Sequence, residues 1–374
     1  MPQAVFLNES KRLRIVALGA LLFTITLFPI NSMADASPLR VYPLLQSQFR
    51  AKPSEAPPLP ALPGNPTPWQ RLATQGFASK NSFLDAPTQA NSACQLKLEA
   101  KLPMTESFGH YTVPVTIGGR THPMLVDTGA EGTAILPEIA DEWHLREDTS
   151  SASRLKGVGG VSSQHLRIIP SFKFGSAEWV DLRVAALPIV SPEQLAQASP
   201  PVGMVGANVL NRYDVEFDFP ARTVSLYTAS GCFGTFAPWA GDFQAYSAKK
   251  TPSSRFILKI SLNGHPVRAL LGTGATSSVV TIAAARAAGV DSVALSRDPR
   301  SSGSGHDGMQ VDTYQHKFDM EIGTASFDNA PIVVADIDLK DSDMLLGMDF
   351  MRHRRVWVSY STGWVFMQLA TGKS

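Results

Sequence analysis

Beyond residue 94 the chain is a succession of short apolar and β-branched runs separated by turn residues. Residues 112–117 and 256–262 are rich in strand formers. Each run stops at a tight-turn pair, Gly118-Gly119 in one case and Asn263-Gly264 in the other. Both turns lead into a second apolar run, ending at Val126 and at Leu271. Residues 137–145 and 281–288 switch to a helical pattern, the second closed by Gly289. Each half then carries a glycine-rich tip, Gly157-Val158-Gly159-Gly160 or the stretch 303–308. Each finishes with an apolar segment through Gly206 or Gly347, a short helix, and strands at 215–219 or 356–360. The pattern predicts one succession of elements used twice.

The repetition is literal at one place. Leu125-Val126-Asp127-Thr128-Gly129-Ala130 returns 145 residues later as Leu270-Leu271-Gly272-Thr273-Gly274-Ala275. At the same offset, and without a gap, residues 111–119 lie over 256–264. The closing glycines follow the motif by 79 and 75 residues. This spacing marks duplication of a whole lobe rather than a short-period solenoid.

The first 93 residues are of another kind. Lys11, Arg12 and Arg14 precede an apolar run at 15–28, then Pro29 and small residues. Ala34-Asp35-Ala36 fits a cleavage site, with Ser32-Met33-Ala34 as a rival. The run has 14 residues, whereas spanning a bilayer takes about 20. A cleaved signal peptide over 1–36 is therefore expected, the alternative being an anchor in the cytoplasmic membrane through residues 15–30. Export to the periplasm or beyond follows, with membrane association only if the segment is retained. Nine prolines fall between Pro38 and Pro68, too many for a helix or a strand ladder. Residues 37–93 read equally as a linker or as a propeptide lying in a cleft.

Export makes the two cysteines readable. Cys94 and Cys232 flank the first repeat, and a disulfide between them would clamp its base. In the chain-entropy model, closing so long a loop stabilises by up to about 4–5 kcal/mol. Two unpaired buried thiols are the other reading. Charge is balanced, with Lys+Arg 33 against Asp+Glu 32, so nothing marks a nucleic-acid partner. The one dense basic run, Arg352-His353-Arg354-Arg355, is expected to be a solvated turn.

A hairpin, Asp-Thr-Gly-Ala, a helix, a glycine tip, and an apolar pair before Gly with a final helix and strands form an ordered set. In order and spacing this set resembles the retropepsin-like aspartic peptidases, and it covers most of the chain after residue 94. The resemblance implies an all-β fold of two similar β-barrel lobes with an active-site cleft between them. The expected divisions are a first lobe at 94–230, a connector at 231–250 and a second lobe at 251–374. It implies a peptide or protein substrate, no cofactor and no metal. Asp127 would be the catalytic residue. Thr128, Gly129 and Ala130 would form the active-site loop with Gly272, Thr273 and Gly274. Gly157, Val158, Gly159, Gly160, Gly303 and Gly305 would belong to flaps closing over the substrate.

The chemistry of the family uses two carboxyl groups about 3 Å apart that share one proton. The ionised member takes a proton from water, which attacks the peptide carbonyl, while the protonated member hydrogen-bonds the carbonyl oxygen. Here Gly272 stands where the second acid belongs. Three arrangements could answer this. First lobes of two molecules could pair as a homodimer and restore an Asp127–Asp127 dyad. His306 or Asp307 on the second flap could reach the gap. Or catalysis has been lost, leaving a cleft that binds peptides or a partner protein. An aspartic endopeptidase is the leading reading and the inactive, peptide-binding relative the alternative.

Other signals mislead. Gly272-Thr273-Gly274 follows a strand and leads into a helical pattern, as a dinucleotide fingerprint would, but Ser277 replaces the third glycine. The stretch 303–308 matches G-x-G-x-x-G without a strand-to-helix turn around it. The eight histidines are scattered without metal-ligand spacing, and Gly-x-Ser-x-Gly is absent. Trp143, Trp179, Trp357 and Trp364 lie in apolar patterns and are expected in the core.

Overall fold

In each half a strand pair closes through a turn that only a left-handed backbone can make. Gly118 and Gly119 take φ of 56° and 80°, and Asn263 and Gly264 take 49° and 77°. These turns join His110–Ile117 to Arg120–Val126 and Phe256–Leu262 to His265–Leu271. The computed structural model describes residues 94–157, 160–233, 236–304 and 310–369. The expected signal or anchor segment, the Pro-rich stretch, Val158, Gly159, Gly305, His306 and Asp307 lie outside the described residues. Among the described residues no helix is long and apolar enough to cross a membrane.

Six strands close into a barrel in each lobe. In the first lobe the ring runs His110–Ile117, Arg120–Val126, Gly203–Val205, Ala134–Ile135, Ala177–Ala186 and Gly160–Phe174. It closes where Ile117 pairs with Phe172. The second ring runs Phe256–Leu262, His265–Leu271, Met344–Leu346, Val279–Thr281, Ala325–Ala335 and Gln310–Ile322. It closes through Ile260 with Ile322 and Leu262 with Met320. The order is the same in both. Alternate side chains of each strand point inward, so Val113, Val115, Ile117, Phe172 and Phe174 fill one interior. Leu258, Ile260, Leu262, Phe318, Met320 and Ile322 fill the other.

The two helices after the repeated motif end where the backbone reverses. The first is shorter than expected, Pro137–Glu142, because Trp143 caps it and His144 turns left-handed at φ 50°. In the second, Ile282–Ala287, the Thr281 hydroxyl accepts from Ala284 N (3.1 Å) at the start, and Gly289 turns left-handed at φ 85° just past the end.

A six-stranded sheet joins the lobes. Its order is Gln95–Pro103, Thr223–Ser230, Asp214–Asp218, Arg354–Ser359, Trp364–Leu369 and Gln244–Ser247. At its centre Val215 pairs with Val358 and Phe217 with Val356, so Glu216 and Trp357 face each other on the pseudo-twofold axis. The stretch 231–250, expected as a connector, supplies the edge strand Gln244–Ser247 and also Lys249–Lys250, which pairs with Phe256–Leu262. It also contributes Trp239, Phe236 and Phe243, which cover Trp357 and Phe366. Cys94 and Cys232 are joined in a disulfide at the far edge, next to the paired ends of Gln95–Pro103 and Thr223–Ser230.

Only the first half of the basic run is a turn: Arg352 and His353 are half-buried there, while Arg354 and Arg355 open the strand Arg354–Ser359. Strand alternation turns Arg354 to the same face as Val356 and Val358. There it is 5% exposed, with its guanidinium 3.9 Å from the centre of the Phe350 ring. Burial pulls its pKa down to about 10. Arg355, on the other face, pairs with the buried Glu216. Glu216 also accepts from Trp239 Nε1 (2.9 Å) and from the Tyr227 hydroxyl (3.1 Å). Of the four tryptophans expected in the core, Trp357 is fully buried, while Trp143 and Trp179 are partly buried against the core and Trp364 lies beside Phe366.

Candidate active site

Each copy of the motif leaves its barrel at the same point. Strands Arg120–Val126 and His265–Leu271 run parallel to Gly203–Val205 and Met344–Leu346. At the strand ends Asp127 N donates to Val205 O (3.0 Å) and Gly272 N to Leu346 O (3.1 Å). The chain is held identically at both positions, whichever residue occupies it.

The loops meet through two threonines. Thr128 Oγ1 donates to Leu271 O (2.8 Å) and accepts from Thr273 N (3.3 Å). In return Thr273 Oγ1 donates to Val126 O (2.8 Å) and accepts from Thr128 N (3.1 Å). Four reciprocal bonds in a buried place thus lock lobe to lobe. They bring Asp127 beside Gly272: a Cβ built on Gly272 lies 3.9 Å from Asp127 Oδ1.

Asp127 is 6% exposed and held from both lobes. Its Oδ1 accepts from Gly129 N (2.7 Å) in its own loop and from Gly274 N (3.0 Å) in the opposite one. Gly274 has to be glycine, since a Cβ there would fall 2.5 Å from the Asp127 carboxyl carbon. A Cβ on Gly129 would sit 3.1 Å from Gly272 Cα.

Behind each loop the same support recurs with different residues. Asn208 Oδ1 accepts from Thr133 N and Oγ1 (both 2.8 Å), and Thr133 Oγ1 accepts from Gly206 N (3.2 Å). In the second lobe Asp349 accepts from Ser278 N (2.8 Å) and Oγ (2.7 Å), while Ser278 Oγ accepts from Gly347 N (3.0 Å). Burial pushes the Asp349 carboxyl above the usual range, against the pull of these donors. Ala130 O and Ala275 O each accept the first amide of the following short helix, Ala207 N (2.9 Å) and Met348 N (2.8 Å). Gly206 and Gly347 let the chains pass closely: a Cβ would come within 2.4 Å of Gly132 O in one lobe and 2.5 Å of Ser277 in the other.

Of the expected flap residues, Gly157 pairs with Gly160 at the end of one hairpin, and Gly303 pairs with Val311 in the other. Other contributors had no sequence signal. Arg255, nearly buried, bridges Glu131 of the first lobe (2.6 Å) and Asp341 (3.2 Å). Its duplicate position holds His110, so comparing the halves does not reveal it. Aromatic pairs flank the lobe junction reciprocally, Tyr111 on Phe219 (5.0 Å) and Phe256 on Tyr360 (5.1 Å). Burial, with the charges of Asp127 and Asp214, pushes the Tyr360 hydroxyl far up. Among the described residues no group of three His, Cys, Asp or Glu could hold a metal ion.

A family model described as aspartyl protease matches residues 113–209 and again residues 258–350, together half of the chain. No curated protein matches it. Both family matches begin in the first strand of a barrel and end in the short helix behind its loop. Family model and fold divide the chain at the same places, and the chain belongs to the aspartyl protease family, with two retropepsin-like lobes in one polypeptide.

Proposed function

We propose that the protein is an aspartic endopeptidase acting on extended peptide segments, with Asp127 as the carboxylate that activates water. The observation that carries this is the hold on Asp127: one oxygen fixed by amides from both lobes, at the meeting point of two loops locked together by threonines. Such preorganisation lets a carboxylate take a proton from water without rearranging at the moment of reaction. The site is formed within one chain, because the first-lobe loop already spends its threonine bonds on the second lobe. Pairing of first lobes between molecules would require breaking those bonds and parting the six-stranded sheet. The protein works outside the cytoplasmic membrane, where its disulfide can form.

A second reading, a silent relative that binds peptide in the same cleft, draws on Gly272, which offers no side chain to protonate the carbonyl oxygen. The readings part in one experiment. Cleavage of a mixed peptide library at acid and neutral pH is followed for wild type, Asp127→Asn and Gly272→Asp across a range of protein concentrations. Wild-type cleavage that is linear in concentration and abolished by Asp127→Asn is the expected result. Activity rising as the square of concentration would favour paired first lobes, and cleavage by Gly272→Asp alone would favour the silent relative.

A further inference from the structure

The two sides of the lobe junction are closed differently. On one side Asn211, which ends the short helix Ala207–Leu210, donates across the junction to Ser254 Oγ (3.0 Å). On the other side Arg352 ends the matching helix Met348–Met351. The residue 145 before Ser254 is Gly109, which has no side chain to offer it. Arg352 turns instead to its own lobe, donating to Met348 O (3.1 Å) and to Thr276 O (3.3 Å) in the second loop. The Gly109 turn, left-handed at φ 78°, lies against that loop, and a Cβ on it would fall 3.1 Å from Thr276 Cγ2. A pocket of about 270 Å³ lies here between the lobes.

Both lobes build it. The first gives Glu106, Tyr111 and Arg222, with Phe219 and Pro220 as an apolar wall. The second gives Arg352 and His353. Among the described residues neither guanidinium has a carboxylate within ion-pair distance. Arg222 spends none of its side-chain donors on a described residue, and Arg352 keeps Nη1. Both arginines act on the Tyr111 hydroxyl: burial and Glu106 push its pKa up, and Arg352 and Arg222 pull it back. Burial and the charges of Arg352 and Arg354 hold the His353 pKa below its ordinary value, so the imidazole is neutral at pH 7. Glu106 accepts from Gly109 N (3.0 Å) through Oε1. Two arginines and one glutamate leave the pocket a formal charge of +1.

We propose that this pocket binds a small aromatic monocarboxylate, whose carboxylate bridges Arg222 of the first lobe and Arg352 of the second. Charge decides the class. One carboxylate matches the pocket, whereas a phosphate group, at about −1.5 to −2 near pH 7, overshoots it beside Glu106. A guanidinium fork takes a carboxylate in two parallel hydrogen bonds, which a compact cation could not do. The flat body of the ligand lies along Phe219 and Pro220, beside the Tyr111 ring. The ligand supplies on this side of the junction the link that Asn211 and Ser254 make on the other. The inference goes beyond the peptidase reading and does not depend on it.

The test titrates sodium benzoate into the full chain at pH 7, with ionic strength held by chloride, and follows it by calorimetry and thermal melting. One benzoate per chain is expected, with a Kd on the order of 1 mM, the range that a ligand of this size reaches. At about 30 mM benzoate Tm should rise by a few degrees, because the ligand binds only the folded junction. Arg222→Gln, at an exposed side chain, should fold as wild type does and weaken binding by about tenfold or more, and Arg222→Glu should abolish it. Arg352→Gln should weaken it likewise; if that variant melts early without benzoate, Arg222→Gln carries the test. Arg212→Gln, at the exposed position that mirrors His353, should bind as wild type does, and so should Asp127→Asn. No saturable binding by wild type, or equal binding by Arg222→Gln, would overturn the proposal. Phosphate binding as tightly as benzoate would overturn the ligand class. Failure of wild type to cleave peptides would touch only the peptidase reading, since benzoate binding is read directly.

Discussion

Thr273 sits in the loop whose acid is gone, so its worth measures whether that loop still matters. Replacing it by valine keeps the shape and deletes the hydroxyl. Two buried backbone groups then lose their partner: Val126 O, which accepts at 2.8 Å, and Thr128 N, which donates at 3.1 Å. Leaving a buried polar group unsatisfied costs about 1–3 kcal/mol, so the pair should cost about 2–5 kcal/mol. Neither group can turn to solvent, since Thr128 and Thr273 are at most 1% exposed. For a domain of this size that corresponds to a fall in Tm on the order of 10 °C. Thr273→Ser keeps the hydroxyl and should lose only about 1 kcal/mol for the buried methyl. Thr128→Val removes the mirror-image bonds and should cost the same as Thr273→Val. Urea unfolding followed by tryptophan fluorescence measures all three. A Thr273→Val variant within 0.5 kcal/mol of wild type would refute the reasoning, because the second loop would then be an ornament rather than half of a joint.

Three further outcomes are expected. Gly272→Ala, in ordinary contact at 3.9 Å, should be neutral or gain about 0.4–1 kcal/mol, while Gly274→Ala, clashing at 2.5 Å, should lose about 1–3 kcal/mol; thermal melts giving the same shift for both would contradict the geometry. Cys94→Ser with Cys232→Ser opens a loop of 138 residues and should cost about 5 kcal/mol in the chain-entropy model, checked by comparing Tm with and without reductant; equal values would mean the bond contributes nothing. The Ser150 hydroxyl and the Arg183 guanidinium hold the Asp148 carboxyl at about 2. Its pKa is lowered by folding, so its contribution to stability is full above about pH 4 and fades as pH falls towards 2. The stability gap between wild type and Asp148→Asn should therefore shrink between pH 6 and pH 3, and a constant gap would count against this.

What was legible in the sequence was what duplication writes twice. Asp127-Thr128-Gly129-Ala130 and its copy, the turn pairs and the closing glycines fixed both barrels and the meeting of their loops, because each demands a residue type for a backbone reason. What escaped was what the copies do differently. Gln244–Ser247 is four residues long with no clear alternation, and its partner strand lies more than a hundred residues on. Arg354 sits in a basic run that reads as surface, yet Phe350 gives its guanidinium a face to lie on. The bridge from Arg255 to Glu131 joins lobes at positions whose duplicates carry His110 and Thr276, so neither composition nor repeat announces it.

The axis between the lobes has a consequence of its own. In a dimer of identical lobes, a residue on the twofold meets its own copy. Two copies of Glu216 would bring like charges together out of water, which costs several kcal/mol unless one is neutralised. Two copies of Trp357 would crowd a layer that already encloses one indole completely. The chain sets Glu216 opposite Trp357 and packs both against Trp239 and Tyr227, with Arg355 beside the carboxylate and Phe236 beside the indole. The halves are unlike at the axis itself. A dimer of two first lobes would have to seat two Glu216 carboxylates on that axis, and a dimer of two second lobes two Trp357 indoles.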